Sequence, residues 1–213
     1  YYCDGNFHQS VVKKYLKSIV QAKVEIVEIG FRFMPQSKFL GPFAYCSDDF
    51  LKSLHLPSGL DYAVMINATD LIYYDGGINE AIKILFSEKN QSPVSIIRIA
   101  AHSKDLEGCK EIAKKLNSLG YRVFLNIMQI SSLESAVISN LAQKIENWGT
   151  IEALYFADSL GNMESDSVVM IIDAIKKEWR GPIGIHTHDN KNQALSNSLK
   201  AIEGGVTFID ATI

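Results

Sequence analysis

The sequence predicts an α/β fold of the TIM (β/α)8-barrel class, and three observations support that prediction. Seven short runs rich in β-branched residues recur along the 213 residues of the chain. Most of them are separated by amphipathic stretches of helical length, which is typical of parallel βαβ units. No Gly-x-Gly-x-x-Gly follows any run, which argues against the alternative, an open dinucleotide-binding sheet.

The strands and helices are predicted from these two periodicities. Strands are expected at residues 24–30, 61–67, 94–100, 122–128, 153–158, 182–188 and 208–213. Helices are expected at residues 8–22, 103–120, 133–149, 165–181 and 191–205, and most of them stop at glycine. Residues 31–50 are expected to form the longest loop, with aromatic side chains that could act as a lid.

The two ends of the chain refine the fold prediction. The chain begins with a helix and stops on an apolar strand. A whole barrel typically needs about 250 residues. We therefore expect residues 1–213 to form a single barrel domain that is incomplete at both ends and lacks the first strand and the last helix.

Composition excludes several classes of partner. The net charge is −3 with mixed signs along the chain, so no basic stripe points to nucleic acid. No apolar run approaches the roughly 18 to 20 residues of a membrane span. The three cysteines are far apart and form no metal-binding spacing, which favours reduced thiols in a cytoplasmic protein.

The most informative motif is GIHTHDN at residues 184–190. Because side chains alternate along a strand, His186 and His188 should share one face with Gly184. In a barrel that face points to the axis, at the end of the strand where barrel active sites lie. Two imidazoles placed in this way can bind one divalent cation, so His186 and His188 are the candidate metal ligands; the alternative is a pair of core or surface histidines.

Other polar side chains are predicted on the inner face of the strands. An inward Arg98 needs a partner, and Glu28 is the obvious one. This pair is either structural, or Arg98 helps to position a carboxylate or the metal shell and Glu28 is a candidate substrate-binding residue. Asn126 and Asp158 are candidate substrate-binding residues, although Asp158 could instead cap a turn. Asp210 is either a core salt-bridge residue or a support for the histidines.

Five segments together resemble the DRE-TIM metallolyases, which include HMG-CoA lyase, isopropylmalate synthase and 4-hydroxy-2-oxovalerate aldolase. The likeness covers essentially the whole chain and is greatest to the aldolase branch. The segments are VEIGF (27–31), IRIAAHSKD (97–105), YFADSLGNM (155–163), GIHTHDNKNQALSNS (184–198) and FIDATI (208–213).

The resemblance implies a function and a fuller site. His186 and His188 would bind Mn²⁺ or Mg²⁺, and a third ligand, an Asp, would lie in an Arg-Asp-Gly motif before Tyr1. The Arg of that motif would be the main catalytic residue, and Arg98 a further one. The implied activity is that of a carbon–carbon lyase, an aldolase that cleaves or forms a bond next to the pyruvate-like enolate of a 2-oxo acid.

The sequence also departs from the family pattern. Asp189 and Asn190 stand in the reverse of the usual order after the histidines. The aldolases carry a catalytic His shortly after Arg-Asp-Gly, whereas Tyr1 and Tyr2 occupy that region here, so Tyr2 is the candidate for proton transfer.

Two other functions stay open. One is a Claisen-type acyl-CoA transferase like isopropylmalate synthase, and the other is a non-catalytic barrel. Barrels of this kind often pair, so a homodimer is an expectation for which the sequence shows no interface.

Overall fold

The computed structural model describes residues 7–211 of the chain. Its seven strands lie close to the predicted positions, within a few residues at each boundary. They are β1 (Ile26–Phe31), β2 (Asp61–Asn67), β3 (Ile96–Ala101), β4 (Arg122–Ile127), β5 (Ala153–Ala157), β6 (Ile183–His186) and β7 (Phe208–Ile209).

Nine α-helices connect and flank these strands in the described part of the chain. They are α1 (Gln9–Gln21), α2 (Pro42–Tyr45), α3 (Asp48–Ser53), α4 (Ala68–Ile72), α5 (Gly77–Leu85), α6 (Leu106–Ser118), α7 (Ser135–Glu146), α8 (Ser165–Lys176) and α9 (Ala194–Glu203). The five predicted helices correspond to α1 and α6–α9. Between Leu85 and Leu133, short 3-10 turns complete the connections.

The strands belong to one sheet whose spatial order is the order of the chain, β1 to β7. The pairs β1–β2, β4–β5, β5–β6 and β6–β7 are parallel. Parallel neighbours that follow one another along the chain, joined through helices, are the connectivity of a (β/α)8 barrel. The predicted fold class, an α/β fold of the TIM-barrel type, is therefore confirmed.

Contacts divide the chain into two compact units. The first unit holds the residues up to Ile99 together with Glu111–Arg122, and the second holds Ala100–Lys110 and the residues from Val123 onward. The prediction of a single domain stays a prediction.

In the first unit, β2 and most of β3 are buried because they carry an almost unbroken series of apolar residues. In the second unit, the core is formed by β4–β6 together with the apolar faces of α7 and α8. Strands covered on both faces are expected to be apolar throughout rather than alternating, which is the pattern of these runs.

Two local differences from the sequence prediction affect the site. The expected loop 31–50 contains the short helices α2 and α3; Ser47 caps α3 by accepting the backbone N–H of Phe50 at 3.3 Å. The strand expected at 182–188 ends at His186, so His188 lies two residues beyond it. Within residues 7–211 no helix is both long and apolar enough to span a membrane.

Candidate metal centre

The second unit brings the two predicted ligands together. His186 is the last residue of β6, and His188 follows two residues later in a segment without regular secondary structure. Their Nε2 atoms lie 3.3 Å apart, and the two rings are inclined at 78° with centroids 5.1 Å apart. The rings therefore meet at their Nε2 edges on one side of the sheet, as the spacing of the motif predicts.

Asp210 determines how the ring of His186 is oriented. It follows β7, where its backbone N–H donates to the carbonyl of Ile185 at 3.1 Å. Its Oδ2 lies 2.8 Å from Nδ1 of His186. An ionised carboxylate only accepts, so Nδ1 carries the proton and the lone pair of Nε2 faces His188. Of the two roles predicted for Asp210, the structure supports that of histidine support.

The donor set fits a divalent cation. Two ring nitrogens 3.3 Å apart can both bind one ion at about 2.1 Å if the angle at the ion is about 100°, which suits tetrahedral or octahedral coordination. Across residues 7–211, no group of three or more His, Cys, Asp or Glu side chains is arranged to hold a metal. Within those residues the two histidines are therefore the candidate ligands, and the pair supplies two donors.

Burial and a neighbouring imidazole lower the pKa of His188. Burial is the larger cause and the ring of His186 the smaller one, while the carboxylate of Asp158 raises the pKa. A lowered pKa favours the neutral form of the ring, and that is the form that binds a metal.

Asp158 follows β5 and organises the loop next to the imidazoles. It is almost fully buried, and its Oδ1 accepts the backbone N–H groups of Asn162 and Met163 at 3.0 and 3.1 Å. Its own N–H donates to the carbonyl of His186 at 2.9 Å. The structure therefore supports the turn-capping alternative for one oxygen of Asp158, and its role in substrate binding stays a prediction.

Asn126 lies on β4 in the same unit and is 4% exposed. Its register partner on β5 is Tyr155, whose partner on β6 is Gly184. His186 comes two residues after Gly184, so Asn126 and His186 point to the same face of the sheet. The predicted substrate-binding residue thus shares a surface with the candidate metal ligands.

The first unit contains the predicted pair of Glu28 and Arg98. Nη1 of Arg98 lies 2.9 Å from Oε2 of Glu28, and the side chain of Arg98 is 6% exposed. The pairing is confirmed, whereas the catalytic role of Arg98 and the substrate-binding role of Glu28 stay predictions. Tyr2, the other candidate catalytic residue, lies outside the described residues.

Sequence reasoning missed a partly buried cluster formed by Arg32, Asp48, Ser87 and Ser92 in the first unit. Arg32 pairs with Asp48, which also accepts the hydroxyls of Ser87 and Ser92 at 2.8 and 2.6 Å. Nε of Arg32 donates to the carbonyl of Cys46 at 3.0 Å. The only available signal was an arginine directly after an apolar strand, because its partners are distant in sequence.

Comparison with known proteins adds relatives of the aldolase type. The chain is 30% identical over 117 residues to 4-hydroxy-2-oxovalerate aldolase of Carboxydothermus hydrogenoformans, covering 55% of this chain and 34% of the relative. It is 28% identical over 222 residues to the enzyme of that name from Spirochaeta aurantia, covering 99% of this chain and 61% of the relative. The chain thus spans between a third and two thirds of these curated relatives.

Solved structures agree on the fold. The N-terminal domain of a Bacteroides vulgatus protein, provisionally classed as an aldolase, matches with a TM-score of 0.83 and 27% identity, over all of this chain and 69% of that one. HMG-CoA lyase of Brucella melitensis matches with a TM-score of 0.72 and 14% identity, over 97% of this chain and 74% of that one, a likeness of fold alone.

The family itself is identified by a sequence model. The model described as HMGL-like matches residues 94–213, which is more than half of the chain and includes the histidines, Asp158 and Asp210. With the relatives and the fold in agreement, the chain belongs to the HMGL-like family.

Proposed function

We propose that this protein is a divalent-metal-dependent carbon–carbon lyase of the aldolase type, acting on a 2-oxo acid through a pyruvate-like enolate. The observation that carries the proposal is the pair of Nε2 atoms 3.3 Å apart, with Asp210 holding His186 in the tautomer that leaves its Nε2 free to bind an ion. The relatives named as aldolases support the same reaction class.

The donor atoms favour Mn²⁺ over Mg²⁺ among the two ions that the family resemblance implies. Mg²⁺ prefers oxygen ligands and gives up its water reluctantly, whereas imidazole is a good ligand for transition-metal ions. When bound, the ion supplies a Lewis acid for the negative charge that develops on the 2-oxo oxygen.

The protein's own residues would supply position and selectivity. Asp210 keeps the ring of His186 from rotating, and Asp158 holds the loop after β5 against the carbonyl of His186. Arg98 is proposed to bind a substrate carboxylate, with Glu28 keeping its guanidinium in place. Asn126 is proposed to contact substrate from β4. The proposal also includes a small-molecule substrate, a cytoplasmic location and assembly of the protein as a homodimer.

Metal analysis combined with a pyruvate-release screen tests the proposal. The full-length protein is loaded with Mn²⁺ or Mg²⁺ and offered a series of 4-hydroxy-2-oxo acids, and released pyruvate is measured. We expect a stoichiometric ion and pyruvate release, with both reduced at least tenfold in the variant His186→Ala. The exposed Asp173→Asn variant on α8 is the control for a substitution elsewhere in the same unit.

The outcomes separate the alternatives. Unchanged metal content in His186→Ala contradicts the ligand assignment. Release of free thiol from acetyl-CoA in the presence of a 2-oxo acid, without aldol cleavage, contradicts the aldolase and supports the acyltransferase. A protein that binds the ion but turns over neither substrate class supports the non-catalytic barrel.

A further inference from the structure

The side chain of Asn126 contains a polar atom that the fold does not satisfy. Within residues 7–211, its Oδ1 is buried and has no hydrogen-bond partner. Nearly all buried polar groups in proteins have a partner, and an acceptor left without one costs free energy. Such an atom in a family of enzymes is most simply explained by a donor that arrives with a ligand.

The surroundings of Asn126 make this unpaired acceptor costly. Its neighbour across the sheet is Tyr155, whose ring lies 5.9 Å from that of Phe124 and 6.0 Å from that of Phe208. Tyr155 can lie across β6 only because residue 184 is glycine; a Cβ there would overlap its ring. The three aromatic rings form an apolar floor, and we use that term for Phe124, Tyr155 and Phe208.

The position of Asn126 relative to the imidazoles suggests which part of a ligand it contacts. In register, Asn126 is level with Tyr155 and Gly184, and His186 is two residues further along β6. Two residues of a strand rise about 7 Å, and two strands span about 10 Å. A ligand held at the imidazoles by its 2-oxo acid end therefore directs its other end towards Asn126 and the aromatic floor.

The chemistry of the acceptor restricts the donor. The amide oxygen is neutral, and Asn126 and the three rings of the floor include no carboxylate to balance the charge of a buried ammonium group. A hydroxyl group donates one hydrogen bond at no cost in charge. A short carbon chain that carries a hydroxyl thus fits both the oxygen and the floor.

We infer that Asn126 selects a hydroxyl-bearing aldehyde as the partner of the 2-oxo acid, by accepting the hydrogen bond of the aldehyde's own hydroxyl group through Oδ1. This inference rests on the proposed aldolase function. Asn126 takes no part in bond making; it distinguishes a hydroxyl from a methyl group of the same size at the distal end of the substrate.

The test compares two aldehydes of equal size in the direction of carbon–carbon bond formation. The Mn²⁺-loaded full-length protein is given pyruvate with glycolaldehyde or with propionaldehyde, and kcat/KM is measured for each. We expect a preference for glycolaldehyde of about tenfold or more, because an acceptor built for a hydroxyl is left unpaired by the alkyl analogue. In the isosteric variant Asn126→Leu this preference is expected to disappear.

A partial reaction keeps this inference separate from the proposed function. Exchange of the pyruvate methyl protons with deuterated water, followed by NMR, needs no aldehyde and is measured in the wild type, where it reports on the proposed function alone. Absence of exchange in the wild type overturns the proposed function itself. Normal exchange with no aldehyde preference, or with a preference that survives in Asn126→Leu, overturns the inference alone.

Thermal stability distinguishes a ligand-binding oxygen from a structural one. If Oδ1 waits for a ligand, replacing Asn126 by Leu removes an unsatisfied group and raises Tm by about 2 °C or more. A lower Tm in Asn126→Leu shows that the oxygen is satisfied by an ordered water within the fold, and this result overturns the inference. Asn140→Leu, at an exposed position of α7, is the control for the change of side chain.

Discussion

Nδ1 of His186 and Oδ2 of Asp210 lie 2.8 Å apart, although the two residues are 24 positions apart in the chain. The contact joins the end of β6 to the residue after β7, and these two strands pair in parallel. A carboxylate behind a metal-binding imidazole makes the ring a stronger ligand and prevents its rotation. The affinity of the candidate metal centre should therefore depend on a residue that does not touch the ion.

Replacing Asp210 by Asn is expected to weaken Mn²⁺ binding by about 10- to 100-fold, the usual effect of removing such a partner. The amide can still bond to Nδ1 but no longer supplies a charge. Titration calorimetry with Mn²⁺ measures the loss, and Asp173→Asn in α8 is the control of equal charge. Equal affinities in the two variants would show that Asp210 does not support a metal ligand.

The meeting of the two imidazoles was predictable because its signal is local. Alternation along a strand places His186 on the face of Gly184, and both histidines come from one heptapeptide. The end of β6 at His186 was not predictable; as a result, His188 meets His186 from outside the strand. The stacking of Tyr155 over Gly184 depends on the register of neighbouring strands, which no single run of residues determines.

The arginine cluster shows the opposite case. Arg32 and Asp48 are 16 residues apart within a segment of irregular periodicity, and Ser92 is 44 residues from Asp48. The short helices α2 and α3 that bring them together are too brief to show a 3.6-residue pattern. The whole cluster thus results from tertiary packing in the first unit.

The Asp48→Asn variant is expected to lower the free energy of unfolding by about 3 kcal/mol, because it leaves Arg32 buried without a balancing charge. Arg32 is only 2% exposed, so solvent cannot replace the lost carboxylate. Urea unfolding followed by circular dichroism measures the change. Asp49→Asn, an exposed neighbour on α3, is expected to change stability by less than about 0.5 kcal/mol.

The same carboxyl group should make stability depend on pH in the acid range. Burial raises the pKa of Asp48, but hydrogen bonds from Ser92 and Ser87 and the charge of Arg32 outweigh burial and lower it below its ordinary value of 3.8. A lowered pKa means that the stabilisation is present above about pH 4 and is lost as the pH falls through the pKa of the folded state. The difference in stability between wild type and Asp48→Asn should shrink below pH 4; a constant difference would contradict this origin.

Gly184→Ala should destabilise the second unit because the new methyl group meets the ring of Tyr155. Overpacking of this kind costs about 1–3 kcal/mol, measured by thermal or urea unfolding. The double variant with Tyr155→Leu is the matched test, since a smaller side chain leaves room for the methyl group. If Gly184→Ala costs as much in the Tyr155→Leu background as in wild type, the ring is not the cause.

Glu28→Gln tests whether the pair with Arg98 is structural or functional. The variant removes the charge next to the guanidinium of Arg98, whose side chain is 6% exposed, and should lower the free energy of unfolding by about 1–3 kcal/mol. The loss is no larger because Glu28 itself is partly exposed to solvent. A structural pair shows this loss with kcat/KM for the 2-oxo acid unchanged under conditions where the variant is folded. A pair that also positions Arg98 for a substrate carboxylate raises KM for the 2-oxo acid as well, and we expect this second result. The control for both measurements is Glu25→Gln, at an exposed position just before β1. If KM rises as much in Glu25→Gln as in Glu28→Gln, the effect is one of net charge alone.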